Sequence, residues 1–383
     1  MNVMLPRVEW AKALERVSAA VPSRSTLSAL RCIAVEASEG VVRSRASSLS
    51  LHMRAQTKPI RVDREGGIAL PENILRPLVQ SLNGDTITLD VDPDRLVATL
   101  TCLGKEYRIH GLPATDIPQM PVPSGDDVLS FQVGCAALER AIGDATAFAA
   151  RDETMPTICS AYFDATSNER VDVVGTNRHR ISVTGMDTEV TATGETRSAI
   201  LPRDHAEKIA RVLPGGDVLA TVAITRKLMG VTIPDLEVAS ALTEGEYPGY
   251  AAFVGRVRAS VVARVKVNRR DLLEAVERLL ILSDKENITL RKVSLRADAG
   301  DSGLTVSRSV PEVGNAEEVV PAEADERVAV SCSGVYLKDA LVGLTCDDLE
   351  LQFARMADGM PPVVLIEAGS RFISIAPMED SEE

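Results

Sequence analysis

The chain has 383 residues, a length that accommodates two or three domains. Apolar residues make up 45% and charged residues 25%, which is typical of globular proteins. No segment approaches the roughly 20 consecutive apolar residues of a membrane span, so we expect a cytoplasmic protein without a membrane partner. The formal net charge of −13, taken over the whole chain, argues against nucleic acid, because phosphate binding depends on Lys and Arg.

Cysteines and histidines show neither a disulfide framework nor a metal-ligand spacing. We expect the six scattered cysteines to be buried thiols in a reducing compartment: Cys32, Cys102, Cys135, Cys159, Cys332 and Cys346. The histidines are His52, His110, His179 and His205. We therefore expect no metal site and no cofactor. A G-x-S-x-G motif and a phosphate-binding glycine loop are also lacking from the sequence, so we do not predict an enzyme.

A tetrapeptide recurs three times along the chain. It reads Ala-Leu-Glu-Arg at 13–16 and 137–140, and Ala-Val-Glu-Arg at 275–278, with offsets of 124 and 138 residues. Each copy follows a short strand-like segment and has apolar residues at helical spacing, which predicts an amphipathic helix. The repeat therefore predicts three copies of one structural unit.

Each repeat contains a second predicted helix. Ala-Leu-Pro at 69–71 and Ile-Leu-Pro at 200–202 open it in the first two copies, since proline suits a first helical turn, and 333–345 is the equivalent segment in the third. Alternating strands follow, as in Leu349, Leu351 and Phe353. The segments 116–120 and 246–250 close the first two copies with a turn of the chain. Each copy thus reads as strand, helix, strands, helix, strands.

This pattern predicts an α+β fold with three repeated domains, at 1–124, 125–256 and 257–383, each placing two helices on antiparallel sheet. Three such domains form an arc, and a two-fold dimer of arcs closes into a ring without exposed sheet edges.

The predicted helices carry less negative charge than the rest of the chain. They span 7–24, 71–83, 135–151, 202–215, 268–285 and 333–345. Their formal charges total +3, which leaves −16 on the remainder. If the helices line a hole, a polyanion is attracted toward its centre without any base-reading motif. The alternative is that these mixed-charge helix faces are ordinary solvated surface.

Several ordered motifs resemble the bacterial DNA polymerase III beta subunit family, the beta sliding clamps. Val-Gly-Thr-Asn-Arg-His-Arg-Ile at 174–181 resembles the family's Thr-Asp-x-His-Arg-Leu stretch. Arg-Ser-Thr-Leu at 24–27 resembles the segment after the first helix, Glu-Tyr-Pro-Gly-Tyr at 246–250 its Phe-Pro-x-Tyr segment, and Ala-Pro-Met at 376–378 its terminal Met-Pro-Met. The resemblance implies a homodimeric ring around double-stranded DNA, a processivity factor of DNA replication without catalytic activity.

The resemblance also implies a pocket for short partner peptides with apolar ends, between the second and third domains. Its partners would be the DNA polymerase III alpha subunit, the clamp loader and other proteins with a clamp-binding motif. By position, the pocket residues are Ile158, Thr176, Arg178, His179, Arg180, Ile181, Pro248, Phe253, Ser374, Pro377 and Met378. Without the resemblance, His179 beside Arg180 fits either a general base, paired with Asp172 or Asp164, or a packed surface pair.

DNA contacts and a dimer interface are implied in the same way. The residues expected to contact DNA are Arg24, Arg151, Arg203, Lys208 and Arg269. At the interface Tyr107 would meet Ile281 and Leu282 of the other subunit, with Lys105 and Arg108 near Glu312, Glu317 and Glu318. An apolar centre with charged flanks suits a long-lived interface. The alternative is that Ile281 and Leu282 belong to their own domain's core.

The sequence departs from the family pattern around the pocket. Ala376 replaces a methionine, Ala252 an arginine, and Glu-Asp-Ser-Glu-Glu follows Met378. Glu-Asn-Ile at 72–74 also lacks basic residues that many clamps have there. These differences motivate a second hypothesis, that the chain is a variant or second copy whose altered pocket serves inhibitor resistance or an interaction role without loading on DNA.

Overall fold

The computed structural model describes residues 1–282, 291–300, 302–357 and 359–378, and in these ranges it has seven α-helices and 26 strands. The helices are α1 (Arg7–Ser18), α2 (Glu72–Ser81), α3 (Cys135–Phe148), α4 (Arg203–Val212), α5 (Tyr250–Ala259), α6 (Arg269–Ile281) and α7 (Gly334–Val342). Two short 3-10 helices lie at Ala29–Arg31 and Ala114–Asp116.

The strands divide among the three repeats. The first repeat has β1 (Asn2–Pro6), β2 (Cys32–Ser38), β3 (Val41–Ser47), β4 (Leu51–Thr57), β5 (Arg61–Arg64), β6 (Gly66–Pro71), β7 (Thr86–Asp92), β8 (Val97–Cys102) and β9 (Lys105–His110). The second has β10 (Leu129–Gly134), β11 (Ser160–Ser167), β12 (Arg170–Thr176), β13 (Arg180–Asp187), β14 (Val190–Ala192), β15 (Ser198–Pro202), β16 (Leu219–Ile224), β17 (Leu228–Ile233) and β18 (Leu236–Ala241). The third has β19 (Val261–Asn268), β20 (Lys292–Ala297), β21 (Gly303–Val310), β22 (Gly314–Ala324), β23 (Val328–Ser333), β24 (Asp348–Ala354), β25 (Val363–Ala368) and β26 (Arg371–Ile375).

The repeat predicted from the tetrapeptide is confirmed by strand pairing. In each copy, the strand before the first helix pairs antiparallel with the strand after the second helix. These pairs are β1 with β7, β10 with β16, and β19 with β24. In the first and third copies, the strand before the second helix also pairs with an earlier strand of the same copy, β6 with β2 and β23 with β20. Each helix is therefore fixed by the strand that leads directly into it.

The chain forms two compact units. The first comprises Met1–Arg140, Ala165–Arg170 and Asp187–Glu244. It contains a five-stranded sheet, β5-β1-β7-β8-β9, and a nine-stranded sheet, β14-β10-β16-β17-β18-β4-β3-β2-β6. Within the larger sheet, β18 pairs with β4, so the first two sequence repeats share one continuous sheet. Arg54 and Glu237 form a two-point ion pair across this junction.

The second unit comprises Ala141–Asp164, Val171–Met186 and Gly245–Glu383. Its strands follow the order β11-β12-β13-β26-β25-β24-β19-β22-β21-β20-β23. Strand β26 pairs with β13 on one side and with β25 on the other. Parts of the second and third repeats are thereby joined by sheet hydrogen bonds, and Phe148, at the end of α3, belongs to the apolar cluster formed by α6, α7 and their sheet.

The helices are shorter than the sequence predicts. The expected ends at Arg24 and Arg151 were wrong, because α1 ends at Ser18 and α3 ends at Phe148, while Lys285 lies outside the described residues. The six helices of the repeat consequently carry a smaller formal charge, with +1 on each of α1 and α4, −1 on α3 and zero on the others. The charge contrast between helices and the rest of the chain survives, but it is weaker.

Helix α5 was not predicted. The segment 246–250, expected only to turn the chain, leads into α5, and the expected domain boundary after residue 256 falls inside this helix. Cys159 and Cys346 are half-buried, whereas the other four cysteines are buried as expected. Among the described residues, no helix is long and apolar enough to cross a membrane, and no group of three His, Cys, Asp or Glu could hold a metal ion.

His205 of α4 is buried between two serines of the first unit. Its Nδ1 lies 2.9 Å from the Ser240 Oγ, and its Nε2 lies 3.3 Å from the Ser50 Oγ. Burial lowers the pKa of His205, while Asp204 opposes this shift. Burial therefore favours the neutral imidazole, which lies between Ser240 of β18 and Ser50, the residue before β4.

We predict that His205 contributes to acid sensitivity. Below its ordinary pKa of about 6.5, the unfolded chain binds a proton that the folded chain resists, so the free energy of unfolding falls as pH falls. Urea denaturation between about pH 7.5 and 5.5 should give a shallower decline for His205→Gln than for the native chain. His110→Gln, at an exposed position, is the control, and an identical decline in all three proteins contradicts the assignment.

Candidate functional site

The turn between β12 and β13 is held by its own side chains. The Thr176 hydroxyl donates to the Arg180 carbonyl at 2.7 Å and accepts from the Arg178 amide at 3.1 Å. The Asn177 Oδ1 accepts from the amides of His179 and Arg180, at 3.1 and 3.0 Å. Such side-chain bonds replace sheet partners in a tight turn. The positions of the exposed Arg178 and His179 are consequently fixed by their backbone.

Arg178 occupies a backbone conformation that L-residues rarely adopt. Its φ is +76°, in the left-handed region that costs a non-glycine residue roughly 1 kcal/mol. The amide bond to Thr176 and the Asn177 cap hold it there. Its guanidinium makes no hydrogen bond or ion pair with another residue in the described part of the chain. Such strain persists where the surroundings over-determine the backbone, which is frequent at functional sites.

The C-terminal segment runs alongside this turn. In the pairing of β13 with β26, Ile181 faces Ser374. Beyond β26, the Ala376 amide donates to the His179 carbonyl and the Met378 amide to the Ser331 carbonyl, both at 2.8 Å. Pro377 and Met378 are therefore held between the turn and β23, with both side chains half-exposed.

Apolar residues lie next to the turn. The Ala150 amide donates to the carbonyls of both Ile158 and Thr176, at 3.0 and 3.1 Å, which places Ile158 beside the turn. Ile181 belongs to an apolar cluster in which Phe253 is partly buried. Ile158, Ile181 and Ser374 are buried, whereas Pro248 is exposed. The structure thus brings most of the expected pocket residues together, with the buried members as a base and the exposed ones as a rim.

Arg180 points inward and does not offer free donors at the rim. Its Nη1 lies 2.7 Å from Asp339 Oδ2, and its Nη2 donates to the Ala147 carbonyl at 2.7 Å. The guanidinium also stacks between the rings of Phe148 and Tyr336, at 4.7 and 4.3 Å from their centroids. The expectation that Arg180 forms a pocket wall therefore needs correction. It is 6% exposed and positions the turn from beneath.

A second buried arginine also lies near the ring of Phe148. The guanidinium of Arg371 is 5.5 Å from the ring centroid of Phe148 and 2.9 Å from Asp144. It also donates to the Ser182 hydroxyl and the Gly343 carbonyl, at 3.1 and 2.8 Å. Burial lowers the pKa of Arg371 and the Asp144 carboxylate opposes that shift. The network connects α3, β13, β26 and the end of α7.

The segment that leads into α5 is anchored by two tyrosines. Tyr247 stacks on Tyr162 with ring centroids 4.3 Å apart. The Tyr250 hydroxyl donates to Asp164 at 2.8 Å and lies 3.3 Å from Asp172, and burial together with these carboxylates raises its pKa. Asp164 and Asp172, the carboxylates considered as partners of a catalytic His179, therefore serve to fix the start of α5.

The residues that support the site were not predicted from the sequence. Phe148, Asp144 and Arg371 were not singled out, nor were Tyr336 and Asp339, because their roles depend on contacts between distant segments. One local signal was available: Asp144 is a carboxylate within the buried side of α3, next to Ile142 and Ala145. A charged residue in a buried helix face calls for a partner.

The residues expected to contact DNA have different surroundings. Arg24 and Arg151 are exposed in the loops after α1 and α3. Arg203 and Lys208 pair along α4, with Glu207 at 2.8 Å and with Asp204 at 3.6 Å. Arg269 donates to the carbonyls of Cys346 and Leu341, so it secures the end of α7. Only the first two leave a whole guanidinium available to solvent.

An unpredicted groove lies in the first unit between α1, α2 and the end of α4. Its volume is about 780 Å³, and its charged lining residues are Lys12, Glu15, Arg16, Glu72, Arg76 and Arg211. Arg16 pairs with Asp235 at 2.7 Å, and Arg76 pairs with Glu72. Lys12 and Arg211 have no ion pair with another described residue, so they add positive charge to the helix surface.

The expected interface residues lie at sheet edges. Lys105, Tyr107 and Arg108 lie on β9, the end strand of the five-stranded sheet. Between Gly314 and Pro321, β22 pairs only with β21 in the described structure; Glu317 and Glu318 lie on this stretch, and Glu312 just before it.

Ile281 is 78% exposed, which makes the alternative of a core role wrong for this residue. Leu282 is half-buried, and its carbonyl accepts from Arg308 at 2.7 Å. Glu318 is bound by Arg278, at 2.7 Å from Nη2, and this ion pair lowers the pKa of the Glu318 carboxyl. The exposed Ile281 therefore lies at the end of α6. Through Arg278 and Glu318, the last turn of this helix is bound to the stretch of β22, 314–321, that pairs only with β21 in the described structure. We call this the open stretch of β22.

Comparison with known proteins gives a consistent assignment over the chain. Family models match the N-terminal, central and C-terminal domains of the DNA polymerase III beta subunit at residues 1–121, 132–249 and 260–378. The beta sliding clamp of Synechococcus elongatus is 27% identical over 376 residues, covering 96% of each chain.

Solved structures show the same fold. A DNA polymerase sliding clamp from Bacillus subtilis superposes with a TM-score of 0.88 at 19% identity, covering 100% of both chains. A sliding clamp from Pseudomonas aeruginosa, bound to griselimycin, gives a TM-score of 0.88 at 20% identity over 99% of both chains. The fold, together with the site formed by the β12–β13 turn and the C-terminal segment, thus defines a three-domain clamp. The chain belongs to the DNA polymerase III beta subunit family.

We predict that Asp144→Ala destabilises the second unit strongly. Removal of the carboxylate leaves the guanidinium of Arg371 buried without its counter-charge, which costs about 3–5 kcal/mol in comparable pairs. The matched control is Asp347→Ala, which removes the carboxylate of an exposed pair with Arg270 and should change the free energy of unfolding by less than about 1 kcal/mol. Urea denaturation measures both, and equal effects contradict a special role for the buried pair.

Proposed function

We propose that the protein is a DNA sliding clamp, a processivity factor that encircles duplex DNA and tethers polymerases to it. The observation that carries this proposal is the match of three consecutive beta-subunit domains over residues 1–121, 132–249 and 260–378, in step with a threefold repeat of strand pairing. A clamp acts by topology and by docking, so no catalytic residue is required. Asp164 and Asp172, engaged by Tyr250, support this non-catalytic reading over an enzyme based on His179.

We propose that two chains close into the ring through β9 of one subunit and the open stretch of β22 in the other. In the described part of the chain, β9 ends its sheet and this stretch of β22 pairs only with β21, and natural sheets cover or pair such edges. Tyr107 and Ile281 would supply the apolar centre. Lys105 and Arg108 would face Glu312 and Glu317, since Glu318 is already paired with Arg278.

The ligand inside the ring is proposed to be double-stranded DNA, bound without sequence preference. Arg24 and Arg151 are the strongest candidates for phosphate contacts because both are exposed in loops directly after helices. Arg203 and Lys208 could exchange their carboxylate partners for phosphate. The two carbonyl bonds of Arg269 favour a supporting role, in which it holds α7 in place.

The turn Asn177–His179 and the C-terminal segment are proposed to form the docking site for partner peptides. A buried apolar base with a few polar groups at the rim is the arrangement that anchors short peptides. Partners of this class would include the DNA polymerase III alpha subunit and the clamp loader. The protein would carry out this work in the cytoplasm. We place the three domains at 1–124, 125–256 and 257–383, with α5 as the link between the second and the third.

We predict that the protein, loaded on nicked circular DNA, stays bound during gel filtration and is lost when the DNA is linearised. Only a topological link disappears when an end is created. A clamp-fold paralogue that docks peptides without loading shows no such difference, and loss from both forms of DNA contradicts the proposed function.

The double variant Arg24→Ala with Arg151→Ala tests the phosphate contacts. Each lost contact should reduce the slope of log affinity against log salt by about 1. The control is Arg95→Ala, at the exposed turn between β7 and β8, which should leave the slope unchanged. Equal slopes in all three proteins contradict contact by these two arginines.

The ring interface predicts a dimer in solution. Sedimentation should give a mass near twice 41.0 kDa for the native chain at micromolar concentration. Ile281→Asp should yield monomers, because it places a charge at the apolar centre of the interface. Val342→Asp is the matched control, since Val342 is also exposed (58%) on a helix outside the proposed interface. A dimeric Ile281→Asp protein contradicts this placement.

A further inference from the structure

Arg178 is a cation held in place without a carboxylate. Its backbone is fixed in the left-handed region by Thr176 and Asn177. The turn therefore sets the direction of its Cα–Cβ bond, and the side chain is exposed. The neighbouring Arg180 is neutralised by Asp339 at 2.7 Å, whereas the guanidinium of Arg178 lacks an ion pair with any described residue. The turn therefore presents, at the rim of the proposed pocket, a positive charge that no described residue pairs with.

The surroundings of Arg178 indicate what this charge can bind. The residues that the turn contacts on the C-terminal side, Ile375 to Met378, carry no charge, and Ile158 and Ile181 below are apolar and buried. A ligand seated here meets an apolar base and a single guanidinium, which favours a carboxylate next to an apolar anchor. The strain of about 1 kcal/mol at Arg178 is not offset by any contact of its side chain with described residues, which is consistent with a role in ligand binding.

We infer that Arg178 is a specificity-determining residue of the peptide pocket and selects partner peptides that carry a carboxylate beside their apolar anchor. This inference rests on the proposed function, because it assumes that the pocket binds peptides. The carboxylate belongs either to an acidic side chain or to the peptide's own C-terminus. Both present the same chemistry to a guanidinium.

The test uses the full chain and three synthetic peptides that end in Leu-Phe. The first has a Glu shortly before the anchor and a free C-terminus, the second has Gln in place of Glu, and the third keeps Glu but is amidated at its C-terminus. Titration by fluorescence anisotropy is carried out at low salt and at about 0.5 M salt, where surface charges are screened. Three variants are compared: Arg178→Asn, Arg178→Lys and the control Arg95→Asn.

Asparagine tolerates the left-handed backbone, so Arg178→Asn removes the charge without disturbing the turn. At low salt we expect the native chain to bind the first peptide about fivefold more tightly than the peptide that lacks the recognised carboxylate, in line with exposed charge pairs. That peptide is the second if Arg178 binds the Glu side chain, and the third if it binds the C-terminus. This preference should vanish in Arg178→Asn and at high salt, persist in part in Arg178→Lys, and remain intact in Arg95→Asn.

Three outcomes overturn the inference, and they are distinguishable. Equal binding of all three peptides to the native chain contradicts the selectivity of Arg178 but agrees with a pocket that binds peptides. Binding of none of them by the native chain removes the pocket as well, and with it this part of the proposed function. The third outcome concerns Glu379 to Glu383, which follow Met378 in the sequence. If a chain ending at Met378 binds all three peptides more tightly and Arg178→Asn abolishes that gain, the anion of Arg178 is the chain's own C-terminal sequence.

Discussion

The arrangement of the candidate site depends on two buried arginines that both lie near the ring of Phe148. A guanidinium cannot give up its proton at any ordinary pH, so each one has to find a carboxylate and a carbonyl inside the protein. Arg180 obtains them from Asp339 and Ala147, and Arg371 obtains them from Asp144 and Gly343. Because these acceptors come from α3 and α7, the turn, the last strand and both helices have to adopt one relative position.

Such a network gives specificity more than net stability. Replacing a buried ion pair by apolar residues of similar size is often neutral, whereas removing one partner is costly. The ion pairs of Arg180 and Arg371 therefore serve mainly to hold the turn, β26 and the two helices in one relative position. A shift of β26 relative to β13 would break the contact of Arg371 with Ser182 and would displace the amide of Ala376 from the His179 carbonyl. The geometry of the proposed pocket thus depends on the buried ion pairs of Arg180 and Arg371.

Local sequence patterns predicted where the helices of the repeat begin. The recurring tetrapeptide located the first helix of every repeat, and proline or serine located the start of the second. Helix ends were placed too far along, because nothing in the periodicity distinguishes a last helical turn from the loop after it, as at Arg24 and Arg151. Helix α5 was missed because a Pro-Gly dipeptide immediately precedes it, and that signal ordinarily marks a turn.

Short sequence motifs indicated the residues of the turn, but they did not indicate the residues that support the turn from distant segments. The run from Thr176 to Ile181 was recognised as one element, and the structure shows why these residues belong together, since Thr176 and Asn177 cap the turn themselves. The inward direction of Arg180 could not be foreseen, because its partner Asp339 lies 159 residues further along the chain. Contacts at such separation leave no periodic trace in a single sequence.

The arginines differ in whether they are paired within the described part of the protein. The chain has 55 acidic and 42 basic side chains, so carboxylates are abundant, and an arginine without one is kept apart by geometry. Arg180 and Arg269 bind carboxylate or carbonyl acceptors within the protein, whereas the guanidinium groups of Arg24, Arg151 and Arg178 have no such acceptor among the described residues. An excess of negative charge elsewhere weakens random attraction to nucleic acid. On the proposed function, local positive charge would act at two separate places, toward phosphate at Arg24 and Arg151 and toward a carboxylate at the β12–β13 turn.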